Sequence, residues 1–160
     1  MKQLVKKLLV AISGSDSSVS AAKYSIMLAK TYKFDLAFVY VVDTFTLKEL
    51  LMSKIFIEEE SHEFEKNMIA NGNRYLAYVE DLASGKGVKV EKTLKMGHIA
   101  SKILESCDEF EADMIVLGGW DVNRSKRDLV SQSHMEVLLD SKHPVLIVKE
   151  EEIESFFKKF

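Results

Sequence analysis

Apolar residues in this chain gather in short unbroken runs. They are Leu8-Leu9-Val10-Ala11-Ile12, Leu36-Ala37-Phe38-Val39-Tyr40-Val41-Val42, Met114-Ile115-Val116-Leu117 and Val145-Leu146-Ile147-Val148. Runs of this length without polar alternation are what strands covered on both faces require. A fifth stretch, Val88 to Leu94, alternates and predicts a half-buried strand. Between the runs the period becomes helical. Val19, Ala22, Ile26 and Ala29 share one face, as do Ile99, Ile103 and Cys107 with Ala100 and Leu104 beside them. Phe64, Met68, Tyr75 and Leu82 mark a stripe of a long helix over 58–84, in which Asn71-Gly72-Asn73 predicts a kink. Segment 45–57 is apolar and helix-like but less regular, and the helix over 129–141 carries Val130, Val137 and Leu138. Strand–helix alternation of this kind implies right-handed crossovers and a parallel sheet with helices on both faces.

The last eleven residues depart from that pattern. Glu150 to Phe160 reads EEEIESFFKKF, with Ile153, Phe156, Phe157 and Phe160 on one helical stripe. Such a face is too apolar to stand free in water. Docking on its own domain is the expectation, with a protein partner through this tail as the alternative. The organisation predicted is an α/β domain over 1–149 and an amphipathic helical tail over 150–160.

Composition narrows the functional classes. With 160 residues, 47% hydrophobic and 29% charged, the chain suits one folded domain. Its 22 Lys+Arg against 25 Asp+Glu give a net charge of −3 and no basic stripe, so no nucleic-acid partner is expected. No apolar run approaches the ~18 residues of a membrane span, so no membrane partner is expected either. Met1 to Lys7 lacks the apolar core of a secretion signal. Cys107 is the single cysteine, which excludes an internal disulfide and any cysteine-based zinc site. A soluble protein of the reducing cytoplasm is the expectation.

Two loops follow apolar runs and precede helices, which is where open α/β sheets bind ligands. The first is Ser13-Gly14-Ser15-Asp16-Ser17-Ser18; the second runs from Gly118-Gly119 to the helix near 129. Small residues let the backbone approach a ligand, and a helix N-terminus offers free N–H groups to an anion. Serine and aspartate are also ordinary helix caps, so the first loop has a purely structural explanation. In the second, Arg124 and Lys126 are candidate phosphate contacts, and Trp120 is either a packing residue or a stacking surface. His62, His98, His134 and His143 lack paired metal spacing, so surface or helix-cap roles are expected and no metal site is predicted. Glu58-Glu59-Glu60 fits the first turn of the long helix, where negative charge suits the dipole. Cys107, on the apolar face of its helix, is expected to be inert core.

The span from about 7 to 149 resembles the universal stress protein family in five ordered pieces. These are Lys7 to Ile12, Ala37 to Asp43, Gly97 with Ile99, Ala100, Ile103 and Leu104, Ala112 to Gly118, and His143 to Val148. The only proline, Pro144, coincides with the proline of the family's final strand. The resemblance implies a Rossmann-like fold of the adenine nucleotide alpha hydrolase type: five parallel strands in order 3-2-1-4-5, helices on both faces. It also implies a homodimer through the last strand, here Val145, Leu146, Ile147 and Val148.

ATP-binding members carry a signature of Gly, two residues, Gly, nine residues, Gly, then Ser or Thr. In this chain it begins at Gly118 but meets Asp121 at the second glycine and Ser131-Gln132 at the last pair. The family's aspartate at the end of strand one is here Ser13. An acidic side chain at a phosphate-facing turn repels the ligand. The degenerate signature favours a non-enzymatic stress-response protein, an interaction module with weak or absent adenine-nucleotide binding. Its alternative is a genuine ATP or AMP binder. For a bound nucleotide the resemblance implies a base against Val41 and Ala11, Ile12 and Ser13, and phosphates near Gly118, Gly119, Ser131, Gln132 and Ser133. A second resemblance, of Ser13 to Ser18 to the pyrophosphate loop of ATP pyrophosphatases, is one residue short and implies an adenylating enzyme instead.

Overall fold

The computed structural model describes residues 2–119 and 129–160. The first run forms β1 (Lys7–Ile12), with α1 (Asp16–Tyr32), β2 (Asp35–Val42) and α2 (Thr44–Met52) following. The long helix is α3 (Glu58–Gly85), leading into β3 (Val90–Met96), α4 (Ile99–Phe110) and β4 (Met114–Gly118). The chain then forms α5 (Leu129–Asp140), β5 (Val145–Val148) and α6 (Ile153–Lys159). The strands make one sheet in order β3-β2-β1-β4-β5, every neighbouring pair parallel. This is the predicted fold class.

Alternate side chains of β1, β2, β4 and β5 feed opposite cores. From β1, Leu8, Val10 and Ile12 pack with Leu36 and Phe38 under α1, α3 and α6. Leu9, with Ala37 and Val39, faces Ile103 and Cys107 of α4 and Val137 of α5. Phe38, Leu8 and Val10 are fully buried, and each removes about 1.5–3 kcal/mol of apolar exposure. Cys107 lies in the second core, where burial, with Asp108 and Asp113 nearby, pushes its thiol up to about 11. Away from the carboxyl ends of the strands, Asp113 Oδ2 accepts from the backbone N–H groups of Lys6 and Lys7 at 2.8 and 2.9 Å, tying the starts of β1 and β4 together.

The two edges of the sheet differ. β3 presents Glu91, Lys92 and Thr93 to solvent, charges that discourage further strand pairing. β5 has no such protection: its sequence is VLIV, with Val145, Leu146 and Ile147 only partly buried. Pro144 lies just before it and needs no N–H there, while its carbonyl accepts from Ile115 N–H at 3.0 Å.

Several expectations are corrected. α3 runs unbroken through Asn71-Gly72-Asn73, so the triplet does not interrupt the helix. Gly72 serves close packing instead: a Cβ there would lie 2.6 Å from Tyr40 Cδ1 and 2.7 Å from Leu94 Cδ1. The weak strand is displaced by two residues, to Val90–Met96, and the 45–57 helix ends early, at Met52. The tail does form a helix and docks on its own chain. Ile153 and Phe157 are buried, Lys23 pairs with Glu154, and the Lys23 and Lys86 amines lie 5.7 and 4.7 Å from the Phe157 ring centroid.

Candidate functional site

The first loop is built from serines that satisfy one another. Ser15 caps α1, its Oγ accepting from Ser18 N–H at 3.2 Å, and Ser18 Oγ accepts from Ser13 N–H at 3.2 Å. Ser13, Ser15 and Ser17 hydroxyls form a chain at 2.9 and 3.1 Å. Gly14 takes a φ of +80°, and a Cβ there would sit 2.7 Å from Tyr75 Cε2. The ring of Tyr75, from α3, therefore covers the glycine that a pyrophosphate-binding loop would keep open. Tyr75 stacks on Tyr40 at 6.3 Å with the planes 5° apart; burial, then the neighbouring Tyr75, raises the Tyr40 hydroxyl above its ordinary pKa.

Strand order brings the two predicted loops together. A Cβ on Gly118 would lie 2.5 Å from the Ser17 carbonyl carbon, so β4 ends in direct contact with the start of α1. Gly119 turns towards β5 instead, donating its N–H to the Val148 carbonyl at 2.8 Å. Neither glycine lines the cavity that opens alongside.

That cavity, about 180 Å³, lies beyond the carboxyl ends of β1 and β2. Five residues expected to surround a base or its phosphates line it together: Ala11, Ile12, Ser13, Val41 and Ser133. Its other walls are Val39, Tyr40 and Asp43 of the sheet side, Met68 of α3, Ile99 and Ile103 of α4, and His134 of α5. The character is an apolar slot whose lining includes hydroxyl, carboxylate and imidazole groups. Gln132 faces a neighbouring hollow of about 230 Å³, shared with Asp43, Ser133, Phe45, His98 and Glu136. Here His98 Nε2 meets Glu136 Oε2 at 2.5 Å, and Phe45 stands edge-on to the imidazole at 5.2 Å. This contact joins α2, α4 and α5 around the opening. Asp43 caps α2, accepting from Thr46 N–H at 3.0 Å and Thr46 Oγ1–H at 2.7 Å.

Ser131 belongs to the first turn of α5, whereas Trp120, Asp121, Arg124 and Lys126 lie outside the described residues. Among the described lining residues of both hollows there is no lysine or arginine, while Asp43, Glu49 and Glu136 supply negative charge. The described walls thus suit a flat, uncharged ring better than a polyphosphate. Nor do the described residues include a group of three or more His, Cys, Asp or Glu able to hold a metal.

The wall residues that the sequence does not assign to a site are Val39, Tyr40, Asp43, Met68, Ile99, Ile103 and His134. His134 is a correction, since it is buried on α5 rather than a surface or cap residue. Only its place next to Ser133, in the turn that follows the second loop, could have signalled it. His98 occupies the N-cap position of α4 without a side-chain cap bond and is held by Glu136 instead.

Comparison with known proteins extends what the fold shows. Residues 5–149 match the Universal stress protein family. A universal stress protein of Methanocaldococcus jannaschii is 30% identical over 155 residues, covering 92% of this chain and 84% of that protein. A universal stress protein from Archaeoglobus fulgidus in complex with dAMP superposes with a TM-score of 0.62 at 16% identity, covering 92% of this chain and all of that one. A universal stress protein in complex with cAMP gives a TM-score of 0.61 at 21% identity, covering 90% and 96%. No described helix is long and apolar enough to cross a membrane. The family match over residues 5–149 and the 30% identical relative agree, and the chain belongs to the universal stress protein family.

Proposed function

We propose that this protein is a non-enzymatic, cytoplasmic stress-response module whose crevice takes the base of an adenine nucleoside monophosphate weakly, and whose β5 edges pair in a homodimer. One observation carries the binding half: the apolar cavity at the ends of β1 and β2 is lined by Ala11, Ile12, Ser13, Val41 and Ser133 together. Its size lies below the roughly 300 Å³ at which drug-sized pockets begin, which suits a base alone. The acidic lining favours a ligand with little charge, so AMP is preferred over ATP. Two similar structures are complexes with monophosphates, dAMP in one and cAMP in the other. The unprotected VLIV edge supports the dimer, because an apolar edge strand left open invites association.

Calorimetric titration with adenosine, AMP and ATP, paired with thermal melts, tests the binding. A Kd of about 0.5 mM for AMP stabilises the fold by about 1.4 kcal/mol at ~5 mM ligand. That raises the melting temperature by roughly 3–5 °C. Absence of both heat and shift at ~5 mM AMP, or ATP binding more than tenfold tighter than AMP, would overturn the assignment.

A further inference from the structure

The junction between α2 and α3 leaves an unusually apolar surface. Met52, Ile55 and Ile57 are 83%, 64% and 59% exposed, and Phe64 is 47% exposed. They are held near one another, since Ile55 and Phe56 N–H groups both donate to the Leu50 carbonyl and the Phe56 ring packs on Phe64 at 5.6 Å. The same surface is strongly acidic. Glu58, Glu59, Glu60 and Glu63 are exposed around it, with Glu65 half-buried. Lys54 and Lys66 are exposed in the same stretch but are outnumbered by the glutamates. Large exposed apolar groups with an excess of one charge suit a contact surface for a partner of the opposite sign.

That opposite chemistry exists on the same chain. Docking of α6 buries Ile153 and Phe157 but leaves Phe156 and Phe160 46% and 44% exposed. Lys158 and Lys159 are exposed beside them, and the Lys30 amine lies 5.8 Å from the Phe160 ring centroid. Glu154 at the start of α6 is paired with Lys23, so the exposed rings at the far end of the helix stand among lysines and complement an apolar face with an excess of glutamates. Within one chain the two surfaces cannot meet. α3 begins at the end of the sheet where the strands finish, whereas Phe160 lies by the last turn of α1, where the chain turns back to begin β2.

We propose that the acidic apolar surface at the α2–α3 junction seats the α6 surface of a second copy of this chain, head to tail. The contact is heterologous and distinct from pairing of β5 edges, so it extends assembly beyond a two-fold dimer into a ring or an open chain. Surface charges of this kind are screened within about 8 Å at physiological ionic strength and about 3 Å at 1 M, so the association weakens as salt rises.

Sedimentation equilibrium on the full chain tests it, using charge-reversed variants. Glu59→Lys with Glu63→Lys gives a patch variant; Lys158→Glu with Lys159→Glu gives a tail variant. The wild type is expected to gain mass with concentration at ~50 mM salt, with roughly tenfold weaker association at ~500 mM. Each variant alone places like charges across the contact, so its association falls at least about tenfold. An equimolar mixture of the two places lysine patches against glutamate tails, and glutamate patches against lysine tails. Mass growth should return in the mixture to within about threefold of wild type, which also shows that both variants are folded. A wild-type mass independent of concentration at low salt, or a mixture that does not recover, overturns the proposal. So does a patch variant that loses association while the tail variant keeps that of wild type, because the patch would then face something other than α6.

Discussion

Replacing Gly72 by alanine sets two effects of known size against each other. Gly72 stands within α3, where alanine is favoured over glycine by about 0.8–1.0 kcal/mol. The added Cβ would come within 2.6 Å of Tyr40 Cδ1 and 2.7 Å of Leu94 Cδ1. Leu94 can swing its methyl aside. Tyr40 has less freedom, because its ring is stacked on Tyr75. Overpacking of this kind costs about 1–3 kcal/mol, so the clash outweighs the propensity gain and leaves a net loss of about 1 kcal/mol. Gly85, at the end of the same helix, has nothing within 4 Å of its Cβ position. Alanine there gains about 0.4–1 kcal/mol with no clash to oppose it. For a chain of this length each kcal/mol moves the melting temperature by roughly 2–4 °C. Melts followed by circular dichroism should show Gly72→Ala about 3 °C below wild type and Gly85→Ala about 2 °C above it. Two equal increases would refute the packing argument. Because Tyr40 also walls the cavity, Gly72→Ala should weaken AMP binding while Gly85→Ala leaves it unchanged.

Two further outcomes follow from the charges and the thiol. Backbone hydrogen bonds from Lys6 and Lys7 hold the Asp113 carboxyl below its usual pKa, so its contribution is present above about pH 4 and fades as pH falls through the lowered value. Asp113→Ala should therefore cost about 1 kcal/mol in urea unfolding at pH 7, reduced by partial exposure, and the gap to wild type should close in acid. Cys107, buried with its thiol pushed up to about 11, should resist a thiol reagent at pH 8 in the native protein and titrate as one thiol per chain in urea; rapid native labelling would contradict its burial.

The sheet was legible because strands buried on both faces cannot hide their composition. Leu8 to Ile12 and Leu36 to Val42 have no polar alternation, and both feed two cores. Strand order came from resemblance rather than from pattern, since no periodicity within a strand says which strand lies beside it. Gly72 was misread for a physical reason: the same residue that loosens a helix also permits close approach, and only the facing Tyr40 decides between them. Of the cavity lining, Ala11, Ile12, Ser13, Val41 and Ser133 came from the family resemblance rather than from any pattern in the chain. Met68 and Tyr40 were not legible, because their stripes read equally well as plain core. His134 was hidden by its own polarity, which suggests a surface position until the fold buries it.

The chain of serine hydroxyls under the cavity has a consequence for ligand polarity. Ser15 Oγ accepts from Ser18 N–H and has a single proton to give, to Ser13 or to Ser17. When Ser15 donates to Ser13, Ser13 keeps its own proton to offer into the cavity. When Ser13 donates to Ser15, Ser15 turns its proton to Ser17, and Ser13 offers a lone pair instead. Rotation of three light hydroxyls, with no movement of the backbone, thus converts one wall of the slot from donor to acceptor. A heterocycle edge of either kind meets a matching partner there.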